Sequence, residues 1–294
     1  MNFFDLHCDS LFESYEKKQS IKNGNLCVNF DRISKFNRYV GCFAIWIPDY
    51  LDENQSFDFF KKVNRFFEEN KKDIPSNSEI ILTVEGSKLI GNDLSRIKFL
   101  KEKNVKIVTL TWNSSCRIGD GCFVHNPKGL SDFGRLAIKE MEKNNIIVDI
   151  SHASEKLFYD VLEIAENPVI ATHSNSRAVF NHVRNLSDRQ FEEIVKNKGI
   201  VGLNFCEEFL SKNNPTLDDI FMHIEHFLSL SGENTLCIGT DFDGCETPKK
   251  IKNVSQIPIL YEYLLKKNYS EKIVNKIFFD NAKNFFLNKK VMNQ

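Results

Sequence analysis

Eight short, almost continuously apolar runs punctuate the chain, at 3–7, 40–47, 80–84, 105–111, 146–150, 169–172, 200–204 and 236–240. A run of this kind, lacking the alternation of a half-exposed strand, is what a parallel strand covered on both faces looks like. The stretches between them carry helical patterning. Phe59, Phe60, Val63, Phe66 and Phe67 form an inward stripe, with Lys61, Lys62 and Arg65 outside. Ser187 to Gln190 reads as a capping box ahead of Phe191, Ile194 and Val195, and Thr216 to Asp219 reads the same way ahead of Ile220, Ile224 and Phe227. Eight strands alternating with helices over 294 residues predict an α/β protein, a (β/α)8 TIM-type barrel filling residues 1–294 as one domain. A doubly wound open sheet is the alternative, but no G-x-G-x-x-G or phosphate-binding loop supports it.

Bulk properties narrow the function. Forty-one per cent hydrophobic residues, 26 of them Phe, is ample for a core of this size. A net charge of −1 with interspersed signs gives no footing for a nucleic-acid partner. No run reaches the ~18 apolar residues of a membrane span. Eight cysteines are scattered without a C-x-x-C pair, and the N-terminus opens on a strand without a basic or long apolar leader, so the expectation is a cytoplasmic protein with free thiols.

Barrel enzymes carry their chemistry at the C-terminal ends of the strands. Those ends bear His7 and Asp9, Glu85, Trp112, His152, His173, Asn204, and Asp241 with Asp243. A polar residue at any one strand end is unremarkable, but three imidazoles together with acids at successive tips would meet in one pocket. Side chains alternate along a strand, so His7 and Asp9 are expected on one face. Imidazole and carboxylate are the ligands zinc favours. Three histidines with Asp9 and Glu85 are enough for two ions, and Glu85, from a strand between the others, is the natural bridge. His223 and His226, spaced i, i+3 on a helix, read as packing or surface residues. His125 and His182 read as loop residues, and Asp243 as a turn or orienting group.

The motifs also resemble a known family. Asp5-Leu6-His7-Cys8-Asp9, Val84-Glu85-Gly86, Asp149-Ile150-Ser151-His152-Ala153-Ser154, the run from Thr172 to Val179, Arg184-Asn185 and Gly239-Thr240-Asp241-Phe242-Asp243-Gly244 are similar, in this order, to the renal (membrane) dipeptidase family of zinc peptidases. The resemblance implies a metal-dependent hydrolase barrel that cleaves dipeptides, often tolerating a D-residue at the C-terminal position, and often works as a homodimer. By it, His7, Asp9 and Glu85 would hold one zinc ion, and Glu85, His152 and His173 a second. Arg184 would grip the substrate carboxylate, and Asp241 would be the acid/base group. In Leu110-Thr111-Trp112-Asn113, Trp112 occupies the position where many members carry a histidine that assists the substrate carbonyl. Indole offers one N–H and no positive charge, which puts that contribution in doubt. Other metal-assisted hydrolyses (lactone, phosphoester, deamination) and a degenerate binding barrel are the competing readings.

Overall fold

A computed structural model describes residues 1–288. Its sheet contains β1 (Asn2–Cys8), β2 (Arg38–Trp46), β3 (Ser78–Glu85), β4 (Val105–Thr109), β5 (Ile147–Asp149), β6 (Val201–Leu203) and β7 (Leu236–Ile238). All neighbours are parallel, in the order β5-β4-β3-β2-β1-β7-β6. The expected strand at 169–172 is present only as single bridges, to Asp149 on one side and Val201 on the other. Ile150 N–H donates to Ile170 O (2.8 Å), and Gly202 N–H donates to Ala171 O (2.8 Å), so this segment spans the gap between the two sheet edges. It stays short for a physical reason. The Thr172 N–H, which would continue a ladder, is taken by the Asp149 carboxylate at 3.0 Å. Gly202 and Gly239 then let the backbone press in, since a Cβ on either would strike the Thr172 carbonyl.

Two apolar clusters sandwich the strands. The smaller takes residues from every strand position (Phe4, Val40, Ile81, Ile107, Ile147, Ile170, Ile200 and Cys237) and is closed by Phe279, Phe285 and Phe286 of the C-terminal segment. Phe4 stacks on Phe286 with centroids 5.2 Å apart. The larger cluster joins the other face of the sheet to the helices. Each fully buried Phe contributes roughly 1.5–3 kcal/mol. Helix Glu53–Asn70 starts at an Asp52–Gln55 capping box and buries Phe60, Val63 and Phe67. Both boxes expected at Ser187 and Thr216 are formed. These closures leave the strand C-termini as the place where polar side chains gather. No helix among the described residues is long and apolar enough to cross a membrane.

Candidate metal centre

His7 and Asp9 do converge, with Nε2 and Oδ2 3.3 Å apart. They do so by a route other than simple alternation. The strand ends at Cys8, and Asp9 is already the cap of helix Ser10–Glu16, with φ −96° and ψ 11°. A register shift between Asp5 and Cys8 breaks the strand's parity. Leu6 accordingly packs in the smaller cluster and Cys8 in the larger.

Glu85 closes β3 between the two groups of ligands. Its Oε2 lies 3.7 Å from His7 Nε2, while its Oε1 lies 2.8 Å from His152 Nε2 and 3.4 Å from His173 Nε2. One oxygen thus faces each side, the posture a bridging carboxylate needs. All five residues are buried.

The hydrogen bonds fix which imidazole atoms carry protons. His152 Nδ1 sits 2.8 Å from Asn113 Oδ1, a pure acceptor, so Nδ1–H donates and Nε2 is a lone pair. Thr172 Oγ1–H donates to Asp149 Oδ2 (2.6 Å), so it must accept from His173 Nδ1–H (2.8 Å), and the Nε2 of His173 is a lone pair too. Two lone pairs therefore face each other at 3.0 Å, with a carboxylate oxygen beside them. On the opposite side His7 Nε2 and Asp9 Oδ1 are buried without any hydrogen-bond partner. Such an array is repulsive by itself and is satisfied by cations. The electrostatics agree. Burial pushes the Glu85 and Asp9 carboxyls up to about 7 against the pull of His7. Burial also disfavours a charged His7, yet the Asp9 and Glu85 carboxylates outweigh it and raise this imidazole to about 10. His152 and His173 are driven well below the usual range, mainly by burial. The donor set fits two adjacent divalent ions.

Asp241 points into the same cluster, Oδ1 3.8 Å from His7 Nε2. Asn204 Nδ2 donates to its other oxygen at 2.9 Å. The imidazoles of His173 and His7 hold its carboxyl below the ordinary range against burial. Asp241 and His152 both adopt left-handed backbone, φ 60° and 65°, conformations of the kind that cluster at functional sites. At Gly244 a Cβ would overlap Asp9 Oδ2 and come within 2.7 Å of Asp241 Oδ1. Only glycine leaves those two carboxylates where they are.

A cavity of about 410 Å³ opens onto this cluster, walled by Trp46, Trp112, Phe12 and Phe209 among others. Trp112 packs edge-on against Trp46, centroids 5.1 Å apart, and lies 6.1 Å from the His152 ring. Arg184 does not line the cavity. It is buried behind it, Nη2 donating to His173 O at 3.3 Å and the guanidinium 5.3 Å from the Phe209 ring. Its Nε has no partner, and it forms no ion pair among the described residues.

The family model for membrane dipeptidases, peptidase family M19, matches residues 1–286. The chain belongs to that family. Its sequence relatives include an uncharacterised protein of the pqqA 5′ region of Klebsiella pneumoniae, 29% identical over 69% of this chain and 79% of that one. An uncharacterised dipeptidase of Schizosaccharomyces pombe is 32% identical over 62% of this chain, a match that spans only 45% of the yeast protein. Among solved structures, a metallopeptidase from Rhodobacter sphaeroides bound to a phosphinate mimic of L-Ala-D-Ala superposes with a TM-score of 0.90 at 23% identity, covering 98% of this chain and 99% of that one. Dipeptidase AC, a metallopeptidase of family M19, superposes at 0.88 with 25% identity, covering 97% of both chains.

Within this family member several residues outside the sequence reading shape the site. Trp46 ends β2, a strand tip that a search for metal-type residues passes over. Asn113 sets the His152 tautomer, and nothing in its sequence context announces it. Asp243 instead ties the loop at Cys27 and Val28, accepting from both backbone N–H groups and from Ser10 Oγ. His223 is buried, accepting from Ser176 N–H and donating to Leu210 O. His226 pairs with Asp188 at 2.8 Å. His125 is exposed, and His182 is half-buried among Phe180, Phe123 and Phe209.

Proposed function

We propose that this chain is a binuclear zinc dipeptidase, one (β/α)8 domain acting in the cytoplasm, possessing a single site for small dipeptides. His7, Asp9 and Glu85 would hold one zinc ion, and Glu85, His152 and His173 the other. Bound there, the pair would supply polarisation of the scissile carbonyl and a water acidic enough to react near neutral pH. The observation that carries the reading is the convergence of buried imidazole lone pairs and an unpartnered carboxylate oxygen, on five residues from four strand ends, at one point.

The chain's own residues account for the rest. Asp241, with one oxygen pinned by Asn204, keeps the other free to take the proton of the attacking water and return it to the departing amine. Arg184 is a buried cation without a counter-ion among the described residues, suited to a substrate carboxylate, which it would grip with two prongs once Phe209 yields. Trp112 and Trp46 form an apolar wall against which the substrate side chain rests. Trp112 contributes shape and at most one N–H, so carbonyl activation falls to the metal side. The L-Ala-D-Ala mimic held by the Rhodobacter relative supports a substrate with a D-residue at the C-terminal position. Two copies of the chain would associate as a homodimer, leaving each site complete in itself.

The test is hydrolysis of a panel of L,L- and L,D-dipeptides beside metal analysis, for wild type and Asp241→Asn. We expect close to two zinc ions per chain, cleavage by the wild type, and a loss of about 10²–10⁴-fold in Asp241→Asn. Failure of fully metal-loaded wild type to cleave any member of the panel overturns the reading.

A further inference from the structure

A second group of metal-ligating side chains, two of them soft thiols, lies in the wall of the same cavity. Cys206, Cys245 and Asp241 each offer one ligand atom, and these atoms lie within 4.8 Å of one another. All three residues line the cavity. The two thiols are 39 positions apart in sequence, but their loops are stitched together by Glu207 N–H donating to Glu246 O at 2.9 Å. The turn that follows Asp241 curls back on itself, so that Cys245 Sγ reaches Asp241 O at 3.4 Å.

Tetrahedral zinc with Zn–S bonds of about 2.3 Å separates two sulfurs by roughly 3.8 Å. That spacing lies inside the limit just given. Two thiolates and a carboxylate are a ligand set preferred by zinc and its heavier congeners over magnesium or calcium. The five donors of the candidate binuclear centre, by contrast, are all nitrogen or oxygen.

We propose that Cys206, Cys245 and Asp241 form an additional, inhibitory site for a thiophilic divalent cation of the zinc class. Binding exchanges the two thiol protons for two metal–sulfur bonds, releases those protons to solvent, and adds one carboxylate bond, with water completing the tetrahedron. No electron is transferred. The inhibitory consequence rests on the assignment of Asp241 as acid/base group, because a captured carboxylate no longer carries a proton between water and leaving amine. The binding itself does not depend on that assignment.

Cadmium is the probe, since a thiolate–cadmium bond gives an ultraviolet charge-transfer band that nitrogen and oxygen ligands do not. Fully reduced protein carrying two equivalents of zinc per chain, with excess zinc removed, is titrated with Cd²⁺. One equivalent per chain should develop the band and lower dipeptide hydrolysis at least tenfold. Cys206→Ser and Cys245→Ser should each weaken Cd²⁺ binding at least tenfold, and Cd²⁺ should then change each variant's own rate less than twofold. Cys122→Ser, at a half-buried thiol outside the cavity lining, should behave as wild type. Thermal melts of the zinc-loaded variants establish that each is folded. Absence of the band in reduced wild type, or its survival in both Cys206→Ser and Cys245→Ser, overturns the proposal. A one-equivalent band lost in those variants, in a protein that cleaves no dipeptide, leaves this site standing and defeats the dipeptidase assignment instead.

Discussion

The two sides of the candidate centre use the same device to opposite effect. On each, a buried aspartate a few positions before a ligand clamps a threonine at the tip of the next strand. Asp5, two residues before His7, accepts from Thr240 N–H and Thr240 Oγ1–H at 2.8 and 2.6 Å. Asp149, three residues before His152, accepts from Thr172 N–H and Oγ1–H at 3.0 and 2.6 Å, and from Thr109 and Ser151 as well. Burial dominates at Asp5 and lifts it to about 7. At Asp149 burial is opposed by His173 and by more hydrogen bonds, and the carboxyl is held below its ordinary range. The consequence reaches the imidazoles. His173 is oriented through Thr172, and His152 through Asn113. His7 Nε2 and Asp9 Oδ1 are held only by the chain they sit on. One side is pre-organised and the other waits for a cation to organise it.

Glu85 is the element both sides share, so removing it is the harshest test of the comparison. Glu85→Ala should drop zinc below one ion per chain, because each side loses the carboxylate they share and the imidazole side is left with no carboxylate at all. Hydrolysis should fall by more than the about 10²–10⁴-fold expected of Asp241→Asn. Retention of one tightly held ion would instead mean that the imidazole side binds metal without its bridge.

The next effect concerns stability. His223 supports the pre-organised side from behind, through the Ser176 N–H just beyond His173. Its Nδ1 is an acceptor, and burial pushes its pKa down from 6.5 to about 4. The sign follows from linkage. The unfolded chain takes up this proton near pH 6.5 and the folded chain only near pH 4, so folded stability is lost as pH falls through that window. The loss reaches about 3 kcal/mol by pH 4. His223→Gln keeps a donor and an acceptor but does not titrate. The difference in unfolding free energy between wild type and His223→Gln, followed from pH 7.5 to 4, should slope against the wild type by that amount. A flat difference would mean that His223 is not buried as a neutral donor–acceptor.

Much of this was legible from residue order, because strand period and strand-end polarity are local properties. Seven of the eight runs lie at strands, the eighth lies at single bridges between the two sheet edges, and the five ligand candidates stand at the tips. What local patterning misses is decided by neighbours distant in sequence. The 169–172 run looks like any other strand, yet its pairing is cut short when a carboxylate from β5 takes the Thr172 N–H. His7 and Asp9 share a face only after a register shift and a turn that no periodicity encodes. Asn113, 39 positions from His152, and the Cys206–Cys245 pair carry no spacing motif at all. Gly244 reads as a turn residue until two carboxylates are found in the space a Cβ would fill.

The sharpest version of the comparison removes the same hydroxyl from each side. Thr172→Val and Thr240→Val are equal in shape, and each deprives a buried aspartate of one hydrogen bond, which costs about 1–3 kcal/mol. Similar falls in thermal stability are therefore expected. Metal affinity should part them. Without Thr172 Oγ1, His173 Nδ1–H has no acceptor, the proton can move to Nε2, and the lone pair aimed at the metal is lost. A positioning partner of this kind is worth about 10–100-fold in affinity. No imidazole tautomer depends on Thr240, whose hydroxyl reaches only Asp5, the His7 carbonyl and the Phe242 N–H. Chelator competition should thus show a 10–100-fold weakening in Thr172→Val, against a much smaller change in Thr240→Val. Equal weakening in both would show that the two sides are organised alike, because a threonine that touches no ligand ring could then matter only through the backbone it pins.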